Sequence, residues 1–414
     1  MTGVNRQWLA RVALALAAGA VSTLPARGQT LPSEPLSFGM GRVILGGDAS
    51  ITFSCASTPD PGSCDDDTGF FNYTDYEHSL VRLVRIDVSA TVRASRHISG
   101  VVDVRSENGS SPRAYALYLR LRPWVNRAVN IHAGRVPPTF GAFARRTYSS
   151  DNVLIGYPLG YQYLTSLRPD SVPANADELL RMRGRGWLSS FSLGNVTPDA
   201  GVPLAAAFLW DTGVQAHGAN RWIEGTGSVT LGSLASPAIE PEKAGRQYTA
   251  RVAVRPLLGL VVGASAARGP FLTRGMLESG GIQASHGRFR QDAVGADVEY
   301  SRDHYLVRFE TIRSQWSLPT LASPVTALAA SVEGRYKIGP RLHAAGRVDH
   351  LGFSSITGTT RTATWDAPVT RIEVGGGYLL QRNLQLKMSV QHNRRPGGRV
   401  QRVNLVAAQL AVWL

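Results

Sequence analysis

The feature that most constrains this chain is a recurring period of two. From Val84 to Ala94, the apolar residues Val84, Ile86, Val88, Ala90 and Val92 alternate with Arg85, Asp87, Ser89, Thr91 and Arg93. Successive side chains of a strand point to opposite faces, so the spacing predicts a β-strand with one apolar and one charged face. The pattern returns at Tyr248, Ala250, Val252 and Val254 against Gln247, Thr249, Arg251 and Arg255, and at Ile372, Val374, Gly376 and Tyr378 against Arg371 and Glu373. It returns again at Leu384, Leu386, Met388 and Val390 against Gln385, Lys387, Ser389 and Gln391.

An alternating strand suits either a soluble sandwich, whose apolar faces share a core, or a membrane barrel, whose apolar face meets lipid and whose polar face lines a wet lumen. Three features select the barrel. Strands run about ten residues, their polar faces carry many Arg and Glu, and aromatic residues gather near their ends. Trp124, Trp187, Trp210, Trp222 and Trp316 are expected to form the interfacial girdle. The fold class is therefore an all-β transmembrane antiparallel β-barrel.

The ends of the chain agree. Arg6 and Arg11 precede an apolar stretch from Val12 to Leu24, and Ala26, Arg27 and Gly28 follow, the layout of a secretory signal peptide over residues 1–28 cleaved after Gly28. Residues 29–414 are then one exported barrel domain. Beyond the leader no apolar run approaches the eighteen or so residues of a spanning helix. The best one, Pro256 to Ala267, is bracketed by Arg255 and Arg268. At the other end Val406, Ala408, Leu410, Val412 and Leu414 share one face and Gln409, Ala411 and Trp413 the other, so the last residue points to lipid. Leu414 is an apolar variant of the aromatic terminal signal that barrel-assembly machinery favours. The expected location is the outer membrane of a Gram-negative cell.

Candidate strands begin near residues 42, 80, 99, 113, 127, 180, 203, 221, 246, 258, 291, 304, 327, 341, 368, 383 and 401. That count is odd, whereas single-chain bacterial barrels have even counts. Long connections belong outside and short ones in the periplasm. Counting forward, the segments 54–79 and 136–179 fall outside; counting back from Leu414, so do 394–400, 352–367, 314–326 and 269–290. The two counts disagree only between 180 and 245, which leaves sixteen strands, with eighteen as the alternative.

A barrel of this size encloses a channel whose behaviour depends on lumen charge and on any loop that folds inward. The pore-lining candidates are Arg85, Arg93, Arg105, Arg120, Arg122, Arg251, Arg255, Arg308, Arg335, Arg347, Arg371 and Lys387. Acids on the same faces, among them Asp87, Asp103, Glu107, Asp297, Glu299, Glu310, Glu333, Asp349 and Glu373, pair with many of them across neighbouring strands. The long segment from Gly134 to Leu180 is dense in Pro, aromatic and Arg residues, and Arg145, Arg146 and Arg168 are its constriction candidates. A surface lid or an intersubunit contact is the rival reading of that segment.

The formal charge is +14, and loss of Arg6, Arg11 and Arg27 with the leader takes it to +11. In an exported chain with scattered basic residues this points to outer-membrane lipid and lipopolysaccharide and to small anionic solutes, and away from nucleic acid. Cys55 and Cys64 lie in a Pro/Gly-rich segment and are expected to form a disulfide in an oxidising compartment. Asp65, Asp66 and Asp67 read as a solvated acidic loop.

The stretch Gly134-Arg135-Val136-Pro137-Pro138-Thr139-Phe140-Gly141 resembles the Gly-x-x-x-x-Pro-Phe-Gly region of the phosphate-selective porin O and P family, with Pro138-Thr139-Phe140-Gly141 where the family has Pro-Phe-Gly. The closing stretch, Arg371-Ile372-Glu373-Val374-Gly375-Gly376-Gly377-Tyr378, a tight turn, Leu384-Gln385-Leu386-Lys387 and a last apolar-ended strand, is similar to general porins. The resemblance implies a sixteen-stranded, homotrimeric diffusion channel lined by basic residues. No Gly-x-Ser-x-Gly, His-Glu-x-x-His or phosphate-loop motif is present, so no enzyme and no cofactor are expected. The alternative function is an occluded barrel acting as envelope scaffold, adhesin or lipid-modifying enzyme, the last by pairing a Ser with His343 or His350.

Overall fold

A computed structural model of the chain describes residues 34–57, 81–146, 148–207, 209–282, 288–398 and 400–414. The leader expected over residues 1–28, together with Cys64 and Asp65 to Asp67, lies outside the described residues. Cys55 stands near the outer end of the first barrel strand.

Sixteen antiparallel strands form the barrel. In chain order they are β1 Val43–Ser57, β2 Val81–Arg93, β3 Ile98–Glu107, β4 Arg113–Leu121 and β5 Ala128–Val136. After a long interruption come β6 Asp211–Ala219, β7 Ile223–Thr230, β8 Gln247–Leu257, β9 Leu260–Pro270, β10 Arg290–Arg302 and β11 Tyr305–Trp316. The ring is completed by β12 Val325–Lys337, β13 Leu342–Phe353, β14 Val369–Gln381, β15 Leu384–Arg394 and β16 Arg402–Trp413. Each strand pairs with the next, and β16 pairs with β1 over Asp48 to Ser57 opposite Trp413 to Asn404. The Leu414 N–H donates to the Gly47 carbonyl at 2.9 Å, so the closing strand is held to its last residue. Closure leaves the ring no open edge, and a closed barrel satisfies its backbone groups inside a bilayer. The short strand Leu36–Phe38 adds a hairpin beside β1 and lies outside the ring.

The period of two sorts the side chains as expected. Tyr248, Val252, Val348, Ile372, Val374 and Val390 project outward, with Val374 and Tyr248 each 60% exposed. Tyr305, Tyr336 and Tyr378 face outward near the short-turn end, where Trp124 and Trp222 sit exposed in turns. These form the girdle. Three of the expected girdle tryptophans are elsewhere. Trp210 packs on Tyr115 and Tyr118, Trp316 is fully buried against Phe271 and Trp365, and Trp187 opens no strand but lies in a short 3-10 turn, Gly186–Leu188. An indole at a strand end reads the same in sequence on either face; Trp187 and Trp210 belong to the long loop, and Trp316 closes β11 on its inward face.

The strand ambiguity between 180 and 245 resolves to two strands where three were expected: the candidates near 180 and 203 give one, and the candidate near 221 gives the other. Residue 180 lies in the helix Ala176–Arg181, capped by the Asn175 side chain on the Glu178 N–H, and the strand expected near 203 begins at Asp211. Arg181, Arg183 and Arg185 imitate a period of two, but Asn175 with Asp177 and Glu178 in the first turn favours a helix start. The long loop therefore runs from 137 to 210 instead of ending at 179, and the parity is even.

Candidate functional site: the barrel lumen

The long loop folds into the lumen and is tied to much of its wall. At its start the Gly141 N–H donates to Ser265 on β9, and the Ala142 and Phe143 N–H groups donate to the two oxygens of Glu310 on β11 at 2.8 and 3.2 Å. The Tyr161 hydroxyl donates to the same carboxylate at 2.6 Å. Burial and the Glu310 charge hold that phenol well above its ordinary range. Gly141 has a φ of +74°, and a Cβ there would lie 2.2 Å from the Tyr161 hydroxyl, so only glycine lets the loop approach so closely.

Further ties run round the ring. The Tyr148 hydroxyl donates to Asp103 on β3, and the Ser149 and Ser150 N–H groups donate to Asp48 on β1. The Lys387 ammonium on β15 donates to the Ser149 and Asn152 carbonyls at 2.6 and 2.9 Å, capping a 3-10 turn over Ser149–Asp151. On β14 Arg371 donates to the Tyr157 carbonyl and to the Gln162 side chain, each at 2.7 Å.

The centre of this arrangement is an inward row of alternating charge. Glu299, Arg308, Glu333, Arg347 and Glu373 are direct cross-strand partners on β10 to β14. Arg308 bridges Glu299 and Glu333 at 2.7 and 3.1 Å, and Arg347 bridges Glu333 and Glu373 at 3.2 and 2.6 Å while also pairing with Asp349. The loop plugs into the row. Arg146 pairs with Glu333 at 2.9 Å, the Gly156 N–H donates to Glu373, and the Gly156 carbonyl accepts from Arg347. Removing one member of such a buried set costs about 3–5 kcal/mol, because it strands the partner's charge, even where the intact set adds little net stability.

Three layers result. Towards the outer end the inward face is apolar: Trp316, Val325, Leu351, Phe353, Val369 and Leu405 join Tyr163, Leu204 and Trp365 of the loops in one core. Trp365 stacks edge-on against Phe353 and Trp316, with centroids 4.7 and 5.9 Å apart. A wet lumen was expected along the whole inner face, yet here the loops supply apolar partners and the layer is packed like a protein interior. At mid-height lies the ion-pair layer. Towards the short turns lies a basic vestibule.

The pore-lining candidates divide along these layers. Arg85, Arg105, Arg251, Arg347, Arg371 and Lys387 face inward but are buried and engaged. Arg85 reaches Glu107 and the Tyr157 hydroxyl, Arg105 pairs with Asp87, and Arg251 pairs with Asp297. Arg255 pairs with Glu224, which also takes Arg145 at 2.5 Å. Arg93, Arg120, Arg122 and Arg335 stand in the vestibule with no ion pair among the described residues, and the Arg120 and Arg122 guanidiniums donate to the neutral Ser99 and Asn130 side chains. Beside them His132 bonds Gln215 and His217 bonds Thr226. Of the constriction candidates, Arg145 and Arg146 reach the wall. Arg168 does not: it is fully buried inside the loop, held by Asp170 and the Ser189 and Thr197 carbonyls. Sequence reasoning named Glu310 only as a wall charge; nothing local in the sequence marks it as the anchor of the loop.

Among the described residues no serine hydroxyl bonds a histidine ring. His343 meets the Val153 carbonyl and His350 meets Thr370.

Solved structures share this architecture. The anion-selective porin from Comamonas acidovorans superposes with a TM-score of 0.55 at 8% identity, covering 90% of this chain and 99% of that one. OmpT, an outer membrane protein of Vibrio cholerae, gives 0.54 at 10% identity over 91% and 99%, and the outer membrane channel DcaP of Acinetobacter baumannii 0.54 at 10% over 94% and 99%. The fold is that of outer-membrane porins. No protein-family model and no curated protein sequence matches the chain.

Proposed function

We propose that this chain is an outer-membrane porin that passes small solutes, anions in preference, through a lumen set by its inward loop. The observation that carries the reading is the vestibule. Arg120 and Arg122 at the end of β4 and Arg335 on β12 stand eight strands apart in the ring, hence on opposite walls, and none meets an acid among the described residues. Unpaired guanidiniums on both walls raise the local concentration of anions entering from the short-turn side. Likeness to the phosphate-selective porin O and P family, carried by Gly134 to Gly141, supports the same leaning. The fold neighbour from Vibrio cholerae is described in a trimer form, which supports a homotrimer here.

Planar-bilayer recordings across a salt gradient test the reading: a reversal potential of anion-selective sign is expected, and a cation-selective sign overturns the selectivity. A second reading, an occluded barrel serving as scaffold or adhesin, is favoured by one observation, the anchorage of the loop to strands from β1 to β15. A wild-type barrel that is silent in the bilayer while a loop-released variant conducts supports this second reading over the first.

A further inference from the structure

The outer face of the barrel carries a groove of about 740 Å³ that the porin reading leaves unused. Its floor is a single cross-strand row: Ala216 on β6, Gly227 on β7, Ala250 on β8 and Ala266 on β9, continued by Val294 on β10 and Arg313 on β11. The next row toward the outer end is larger and more polar, with Val229, Tyr248, Arg268, Asp292 and Gln315. Small side chains flanked by tall ones make the depression.

A guanidinium on the lipid face of a barrel strand is unfavourable unless it sits near the interface and finds an anion. Arg313 faces outward three residues from the outer end of β11 and makes no ion pair among the described residues. Asp292, the one acid lining the groove among the described residues, is already shared by Arg268 and Arg290 at 2.6 and 2.7 Å. The groove is thus apolar below and basic at headgroup height.

We propose that this groove binds a phosphorylated, acylated lipid of the outer leaflet, its chain lying on Ala216, Gly227, Ala250 and Ala266 and its phosphate meeting Arg313 beside Arg268. Acyl methylenes fill the depression by the hydrophobic effect, and a guanidinium grips phosphate through paired N–H donors. The site depends on the barrel standing in a membrane and is independent of whether the lumen conducts.

The test is native mass spectrometry of the refolded full chain in micelles with diphosphoryl lipid A, with dephosphorylated lipid A and phosphatidylglycerol as comparison arms. One retained diphosphoryl lipid A per chain is expected, with weaker retention of the other two. Arg313→Gln is expected to lower apparent affinity about tenfold or more, the loss of one charge-assisted contact. Gly227→Leu fills the floor and is expected to do the same. A Cβ at Gly227 meets nothing closer than 4.0 Å, so the fold tolerates it. Bilayer conductance is recorded on the same preparations and is expected to be unchanged by either variant. Equal retention by wild type and both variants, equal binding of dephosphorylated lipid A, or cross-linking that places a second copy of the chain over Gly227 overturns the proposal. Loss of conductance selectivity without loss of lipid strikes only the porin reading.

Discussion

Glu310→Ala isolates the anchor of the inward loop. The carboxylate takes three donors, the Ala142 and Phe143 N–H groups and the Tyr161 hydroxyl, and it lies buried at the wall. A buried donor left without an acceptor costs about 1–3 kcal/mol. Three such losses give an upper range of about 3–9 kcal/mol, and entry of lumen water offsets part of it, leaving roughly 3–5 kcal/mol. At 1.4 kcal/mol per factor of ten, the loop-released population rises more than about a hundredfold. Trypsin cutting after Arg145 and Arg146 reports that population directly, since both side chains are held on the wall in the closed arrangement. Cleavage of the refolded barrel is expected to accelerate by that factor, single-channel conductance to rise, and Glu310→Gln, which keeps one acceptor oxygen, to fall between. If Glu310→Ala folds with the usual heat-modifiable gel shift yet cuts and conducts like wild type, the anchoring role is refuted.

Gly156→Ala acts on the same closure from the loop side: its Cβ would stand 2.3 Å from the Gln391 amide and 2.7 Å from Glu373, so faster loop proteolysis is expected, and a wild-type rate counts against the contact. Arg120→Glu combined with Arg122→Glu is expected to move the reversal potential toward cations in a salt gradient, and an unmoved potential removes these residues from the permeation path. Trp365→Ala deletes a buried ring packed on Trp316 and Phe353 and is expected to cost about 3–5 kcal/mol, read as a lower denaturant midpoint. Lys243, in the loop after β7, has its ammonium pushed down to about 7 by burial, with Ser233 and the Ser236 carbonyl as its partners. Its folded value lies below its unfolded one, so the unfolded chain binds more protons between them, and stability rises as pH climbs from about 7 to the ordinary lysine range. Lys243→Met should flatten that slope; an unchanged pH profile of the denaturant midpoint argues against it.

The barrel itself was legible because lipid enforces its period. Val84 to Val92 and Leu384 to Val390 have no freedom to alternate otherwise, and the parity of long and short connections located the one miscounted region. Arg181, Arg183 and Arg185 misled because a period of two over so short a stretch does not distinguish a strand from a capped turn of helix. The inward face was legible too, but what covers it was not. Arg347 and Arg120 read identically, each a basic residue on the polar side of a strand; one is sealed under Gly156 and the other opens to the vestibule. That difference is set by contacts nearly two hundred residues apart in the chain, which no local pattern encodes. The apolar upper layer was hidden for the same reason, since Trp365 reaches Trp316 at the end of β11 only once the loop between β13 and β14 has turned inward.

The ring of ties around the loop has a consequence for how the barrel is made. β1 and β16 meet last in any sequential order of pairing, across nearly the whole length of the chain. The loop grips both flanks of that junction, through Asp48 on β1 and Lys387 on β15, by way of neighbouring residues Ser149 and Ser150. Its placement predicts the role of a basting stitch, one that draws the two flanks together before the hydrogen bonds between β1 and β16 zip shut. Severing it at Asp48 or Lys387 should slow the sealing of the barrel more than it weakens the sealed one.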